Sequence, residues 1–300
     1  MSFFQTTQKR IPEQTANGAA HTDNGDTKLA MSTTNNVPVL LLTAAIDAGN
    51  APGAMFSKSE RMTQYLSSFS FYIRFLRNNP DLCKGIVFCE NSGADLSRFR
   101  QLVPLDISNR VELLSLPTEL FNSARGKTYN EMLAIDCAQE RSILLDDEML
   151  FLKLTGRYPI WNIKRLSRDL AQNYTTIESC FFRLPFPGDK KSRFRPMVDT
   201  RCIAVRSKTW KRYFQGRYQL ADEKGGYFFE YIAMDIVSAH LGEKGWISGF
   251  SHPPLILGKQ GHPKRIGRFT IPKQLEPLYL LAAYVYHLRC MKNTENRTRD

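Results

Sequence analysis

An α/β fold with a mostly parallel sheet flanked by helices is predicted by three features of the sequence. Short unbroken apolar runs alternate with segments of helical periodicity, the links between them are short, and polar or glycine-bearing residues follow the apolar runs directly. Strands buried on both faces of a parallel sheet read as continuous apolar runs, and ligands of such sheets bind beyond the strands' C-terminal ends.

The elements follow in order. Val37 to Thr43 is a first buried strand. Ser57 and Glu60 form a capping box, after which Met62, Tyr65, Leu66, Phe69, Tyr72, Ile73 and Leu76 recur at helical spacing until Asn78-Asn79-Pro80 stops the helix. Gly85 to Cys89 is the second strand, a helix follows near 95–102, Val111 to Leu116 is the third strand, Tyr129 to Gln139 a helix, and Phe151 to Thr155 a further strand. This alternation implies right-handed crossovers and a Rossmann-like nucleotide half over residues 37–160. Residues 161–300 are less regular, with helices near 163–172, 208–214, 227–240 and 274–288 and strands near 177–184 and 201–206. Residues 1–36 hold almost no bulky aliphatic side chain and are expected to form a disordered tail, because they cannot offset their ordering entropy by burial.

Three hundred residues with 42% hydrophobic and 23% charged side chains exclude collagen-like and wholly disordered chains. The longest strongly apolar stretch, Leu278 to Leu288, is too short to span a bilayer. The six cysteines form no C-x-x-C pair, which points to a reduced cytoplasmic protein without a structural zinc. The net charge of +12 is unevenly placed. Residues 37–160 carry 13 basic and 14 acidic side chains, whereas residues 161–300 carry 25 and 12. Such a field attracts phosphates, on nucleic acid, on an anionic membrane face or on a diphosphate-linked substrate. A basic nucleic-acid-binding protein accounts for that charge but not for the neutral half, and no RNA or DNA motif is present, so no nucleic acid partner is expected.

Gly126-Lys127-Thr128, followed by the apolar run that ends in Asp146, Asp147 and Glu148, has the outline of a P-loop nucleotide-binding protein. The loop needs a glycine at position 121 to curl around phosphates, and that residue is Phe121. Arg125 and Lys127 are read instead as phosphate contacts of another kind or as solvated charges. Polar groups after the first two strands, Thr43, Asp47, Asn91 and Ser92, are further ligand contacts on this reading. The most specific string is Lys153-Leu154-Thr155-Gly156-Arg157-Tyr158, which brings a hydroxyl, a close-approach backbone and a guanidinium fork to one strand end.

That string, with Glu90 to Gly93 and Gly126-Lys127 before Glu131, resembles a family of bacterial glycosyltransferases that build surface polysaccharides such as O-antigen and capsule. The resemblance implies a GT-A-like fold and a hexosyltransferase, inverting in mechanism, moving a sugar from a nucleotide-sugar donor to a glycan or lipid-linked acceptor. It places the donor against Thr43, Asp47, Asn91, Ser92, Arg125, Lys127, Lys153, Thr155, Gly156 and Arg157. It implies a carboxylate base after the acceptor-side strand, for which Glu230 is the first choice and Asp199 the second. Members of that fold hold a divalent metal through Asp-x-Asp, a motif this strand lacks. Asp146, Asp147 and Glu148 are the candidate ligands of Mg or Mn, with a solvated acidic turn as the competing reading, and no tightly bound cofactor is expected. The basic run Lys190, Lys191, Arg193 and Arg195 suits an acceptor phosphate or an anionic membrane surface, giving a cytoplasmic protein peripheral to the inner face of the plasma membrane.

Overall fold

A computed structural model describes residues 36–49, 56–172, 176–181, 197–240, 246–248, 250, 252 and 254–257. The expected tail, the basic run at 190–195 and the helix at 274–288 lie outside the described residues. Seven strands form one sheet: β1 (Val39–Ala44), β2 (Gly85–Glu90), β3 (Val111–Ser115), β4 (Leu150–Thr155), β5 (Thr176–Phe181), β6 (Met197–Arg206) and β7 (Trp246–Ser248). Their order is β3-β2-β1-β4-β6-β5-β7. The first four pair in parallel, β6 runs antiparallel to β4 and β5, and β7 is parallel to β5. The result is a mostly parallel, Rossmann-like sheet with a less regular second half, as the sequence predicts. The sheet passes without a break from the neutral half of the chain into the basic half.

Helices α1 (Lys58–Asn78), α2 (Ser97–Arg100) and α4 (Ile163–Gln172) cover one face, and α3 (Gly126–Arg141), α5 (Ser207–Tyr213) and α6 (Phe229–His240) the other. Strand alternation sends Leu40, Leu42, Ile86, Phe88, Leu152 and Leu154 into the first layer and Val39, Leu41, Val87, Phe151 and Val205 into the second. All of these side chains are fully buried, so both faces carry a core and the strands read as unbroken apolar runs. Phe88 stacks on Phe99 with ring centroids 4.5 Å apart and meets Phe69 edge-on at 5.3 Å. In the second layer Asp136 of α3 accepts from Trp210 Nε1 of α5 at 2.7 Å and from the Gly216 amide at 2.8 Å.

The capping box of α1 is realised on both sides. The Ser57 hydroxyl accepts from the Glu60 amide, and Glu60 accepts from the Ser57 amide at 2.8 Å. Where sequence and structure differ, tertiary contacts decide. Helix α6 begins at Phe229 rather than Tyr227, because Tyr227 pairs with Asp222 in an antiparallel bridge. Helix α3 begins three residues earlier than its apolar periodicity, because Asn130 Nδ2 donates to the Gly126 carbonyl and the Glu223 carboxylate accepts from the Thr128 amide.

Connections from β1 to β2 run through α1 on one face, whereas β3 returns across the sheet to β4 through α3 on the other. The strand order therefore reverses between β1 and β4, and the C-terminal ends of these two strands form the switch point at which open α/β sheets bind ligands. Among the described residues no helix is long and apolar enough to cross a membrane.

Truncating Phe88 removes a fully buried ring from the centre of the first layer. Phe88→Ala is expected to cost about 3–5 kcal/mol of unfolding free energy in urea titration. A loss below about 1 kcal/mol would show that this layer is not packed as described.

Candidate functional site

The switch point at the C-terminal ends of β1 and β4 is organised from beneath by a buried ion pair. Lys153, the fourth residue of β4, points into the α3 layer and is fully buried. Its ammonium donates to Glu131 Oε1 of α3 at 2.5 Å and to the Thr200 carbonyl of β6 at 2.6 Å, and it lies 5.5 Å from the centroid of the Phe229 ring. Thr43 of β1 places its hydroxyl 3.2 Å from the same Glu131 oxygen and 3.3 Å from the Leu154 carbonyl. One carboxylate thus ties β1, β4 and α3 together, and through Lys153 it reaches β6.

Burial pushes the Glu131 carboxyl up, but Lys153 and Lys127, with the hydrogen bonds from Lys153 and Thr43, overcome it and hold it at about 2. Lys127 lies one helical turn before Glu131, 3.6 Å from Oε2, and its side chain is 55% exposed. Glu131 foremost, supported by Glu230, holds the Lys127 ammonium above its ordinary value against burial and the neighbouring charge of Arg157. Lys127, Arg157 and Glu230 therefore share one electrostatic neighbourhood at the sheet's C-terminal edge.

Arg157 occupies the turn that follows β4. Tyr158 N donates to the Thr155 carbonyl at 3.0 Å, so Gly156 and Arg157 are the central residues of a β-turn. Gly156 donates to the Thr43 carbonyl at 2.9 Å, and a Cβ there would stand 2.9 Å from that same oxygen, which is why no larger residue fits without moving β1. Tyr72 of α1 anchors the far side of the turn, donating to the Tyr158 carbonyl at 2.7 Å. The Arg157 guanidinium is framed by the rings of Tyr158 at 4.7 Å and Phe56 at 5.7 Å, yet its Nη1 is buried with no hydrogen-bond partner among the described residues. Two more buried polar atoms at this edge share that condition, Thr155 Oγ1 and Asn91 Oδ1.

The other expected ligand contacts have internal partners. Asn91 Nδ2 donates to the Asn130 carbonyl at 2.9 Å. The Ser92 hydroxyl donates to Glu90 and accepts from the Asp47 amide at 2.8 Å. Asp47 lies 2.9 Å from Lys58, whose hydrogen bond, with that of the Gly49 amide, holds the carboxyl below its usual range. Arg125 donates to the Gln219 carbonyl at 3.1 Å and lies over the Tyr129 ring at 4.7 Å. Lys153, expected to touch ligand, is spent wholly on internal partners and positions Glu131 instead.

Of the two carboxylates expected as bases, Asp199 is held in a fork by Arg201, with Nε and Nη2 each 2.9 Å from a carboxylate oxygen. Glu230 accepts from the Thr200 hydroxyl at 3.0 Å and remains beside Lys127. The acidic group Asp146, Asp147 and Glu148 precedes β4 and so lies at the sheet's opposite edge, about 20 Å from the switch point at ~3.3 Å per strand residue. There Asp147 pairs with Lys211 at 2.5 Å and Glu148 with Lys208 at 2.8 Å. These carboxylates and the switch point lie at opposite ends of the sheet, which separates them from any ligand held by Arg157. Among the described residues no group of three or more His, Cys, Asp or Glu side chains converges as a metal site.

The sequence assigns no role to Asn130, Thr200 and Glu223, and Glu90 and Glu131 enter its reading only as members of the resembling strings. Glu90 is fully buried at the end of β2 and accepts from the amides of Ile46, Ser92 and Ala94 at 2.9–3.0 Å, knotting the loops after β1 and β2. A glutamate ending an otherwise apolar strand was the available signal. Glu223 accepts from the Thr128 amide at 2.6 Å, so the start of α3 that looks like a P-loop holds the chain's own carboxylate.

No family model matches this sequence, and no curated protein matches it. Solved structures resemble its chain path. One described as a glucose-1-phosphate thymidylyltransferase from Bacillus anthracis, solved with sucrose, has a TM-score of 0.41 at 9% identity and covers 79% of this chain and 97% of its own. The inositol-1-phosphate CTP transferase from T. maritima has a TM-score of 0.37 at 10% identity, covering 72% and 84%. HddC from Yersinia pseudotuberculosis has a TM-score of 0.32 at 12% identity, covering 59% and 79%. Two are named as nucleotidyl transferases and none as a polysaccharide glycosyltransferase, which corrects the expected surface-polysaccharide family. Hexosyl transfer, the glycan or lipid-linked acceptor and the anionic membrane surface fall with it. Likeness at this level assigns no residue of this chain a role.

Removing one member of a buried pair strands the other, which typically costs about 3–5 kcal/mol. Lys153→Met is expected to lose that amount in urea titration, and a loss below about 1 kcal/mol would deny the clamp. Because the Glu131 carboxyl is depressed from 4.5 to about 2, its contribution is full above pH 4.5 and lost as pH falls through about 2. The acid limb of stability against pH should therefore steepen across that interval and flatten in Glu131→Gln. An unchanged limb in the variant would contradict the assignment.

Proposed function

We propose that the chain binds a nucleoside triphosphate at the switch point of β1 and β4 and transfers its nucleotidyl group to a sugar phosphate. The observation that carries this reading is the Arg157 Nη1 donor, buried without a partner among the described residues at a sheet edge where Lys127 adds a second, solvent-facing cation. A buried donor on a charged group is costly unless an acceptor meets it, and a phosphate oxygen supplies both charge and geometry.

The chemistry follows from the kind of groups present. A sugar phosphate is already ionised near neutral pH, so it attacks the α-phosphorus without giving up a proton to a base. Its oxygen forms the new bond to phosphorus, the bond from phosphorus to the bridging α,β oxygen breaks, and pyrophosphate leaves with that electron pair. The main demand on the protein is to bring two anions together and stabilise charge on the transferring group, a task for fixed cations. Lys127 and Arg157 meet it. The Asp199 carboxylate, closed in its Arg201 fork, is not required. Glu230, which accepts from the Thr200 hydroxyl, supports Glu131 in favouring the charged form of Lys127. This reading keeps a cytoplasmic location, where nucleoside triphosphates are made, and needs no lipid-borne substrate.

Pyrophosphate release measured over a panel of nucleoside triphosphates and sugar 1-phosphates tests the proposal. At least one pair should support turnover. Arg157→Ala should weaken triphosphate binding roughly ten- to a hundred-fold, the span of one charge-assisted bond, without loss of thermal stability. Arg157→Lys should recover only part, because the fork is gone. Absence of both triphosphate binding and pyrophosphate release in the wild type would overturn the reading, as would unchanged affinity in Arg157→Ala.

A further inference from the structure

We infer that Asn91 and Thr155 read hydroxyl groups of the bound ligand, so that the site selects a phosphorylated sugar or ribonucleotide over a bare polyphosphate. The inference rests on the phosphate-binding reading above and adds the uncharged half of the recognition. Asn91 and Thr155 are 7% and 8% exposed, and each carries one buried polar atom without a partner among the described residues.

The chemistry of the two atoms differs from that of Arg157. The Asn91 amide is oriented by its own donor, since Nδ2 meets the Asn130 carbonyl at 2.9 Å and a flipped amide would set two oxygens against each other. Its unpaired Oδ1 therefore only accepts, and it repels a phosphate oxygen. Thr155 Oγ1 both donates and accepts. Thr155 is the register partner of Thr43 on β1, whose hydroxyl gives its proton to Glu131 and the Leu154 carbonyl and makes no bond to Thr155 Oγ1. The unmet valences at the ends of β2 and β4 are thus an acceptor at Asn91, a hydroxyl at Thr155 and a charged donor at Arg157. Their complement is a molecule that carries both hydroxyl groups and an anion, as a sugar phosphate or a nucleotide does, and inorganic polyphosphate provides only the anion.

Orphaned buried groups also leave a thermodynamic signature. A hydroxyl that serves the fold loses stability when replaced by its isostere. One that awaits ligand does not, because the apolar methyl removes an unpaid desolvation cost. Thr155→Val and Thr155→Ser separate the cases, by melting without ligand and by calorimetric titration with ribonucleoside triphosphates, their 2′- and 3′-deoxy analogues, glucose 1-phosphate, deoxyglucose 1-phosphates and tripolyphosphate. Thr155→Val should keep or raise Tm, bind tripolyphosphate as wild type does, and bind one hydroxylated ligand roughly ten-fold or more weakly. The deoxy form of that ligand should bind wild type and Thr155→Val alike, which identifies ribose or sugar as the source, and Thr155→Ser should restore affinity. A lowered Tm in Thr155→Val, or equal affinity of wild type and variant for every hydroxylated ligand, would overturn the inference while leaving phosphate binding intact. If the wild type binds neither triphosphate nor sugar phosphate, the functional reading itself fails and takes this inference with it.

Discussion

The carboxylate of Glu131 is the constraint on which the rest of the site depends. A lysine in the middle of a strand covered on both faces is tolerated only if its charge is met, and Glu131 meets it at 2.5 Å from the adjoining helix. That contact sets the axial position of α3 against β1 and β4, and with it the helix's first turn. Lys127 stands one turn earlier on the same helix face and shares the carboxylate, so its exposed ammonium is aimed by the buried pair. Apolar residues of similar volume would stabilise such a layer as well or better. The pair is therefore better understood as fixing geometry than as supplying stability.

A second regularity is the contrast between polar groups that are satisfied and those that are not. Glu90 sits at zero exposure with three amides and a hydroxyl on its oxygens, and Asp136 binds Trp210 and the Gly216 amide. These hold loops and helices together. Arg157 Nη1, Thr155 Oγ1 and Asn91 Oδ1, at the ends of β4 and β2, have no such partners among the described residues. At the other edge of the sheet the acidic turn is neutralised by Lys208 and Lys211. The carboxylates of Asp147 and Glu148 at one sheet edge are thus met by the chain's own lysines, whereas the Arg157 guanidinium at the other keeps a buried donor to offer.

Much of this architecture is legible in the sequence, because parallel strands buried on both faces leave unbroken apolar runs and a capping box marks the start of α1. The antiparallel course of β6 is not legible, since a strand's own residues do not state the direction in which it pairs. The site is legible only in part. Thr155-Gly156-Arg157 announces itself by spacing, whereas Lys153 two residues before looks equally suited to ligand and is in fact interior, because strand alternation sends it into the α3 layer. Asp146, Asp147 and Glu148 are near β4 in sequence but adjoin its start, not its end, and a strand's length separates the two. Partners such as Thr200 and Glu223 come from 47 and 95 residues away, a distance no local pattern bridges. The resemblance to polysaccharide glycosyltransferases rests on short strings, and the most specific of them encodes a strand, a tight turn and a cation and so suits more than one phosphate chemistry.

The central claim is that the C-terminal edge of the sheet, aimed by the Glu131 clamp, receives the phosphates. Nitrogen-detected magnetic resonance of the arginine and lysine side chains during titration with a nucleoside triphosphate addresses it most directly, because cations at the two sheet edges report separately. The account predicts that the Arg157 guanidinium and Lys127 ammonium signals move together and saturate at one affinity, while those of Lys208 and Lys211 stay fixed. Movement of Lys208 and Lys211 with Arg157 and Lys127 silent would place the phosphates at the opposite edge and contradict it.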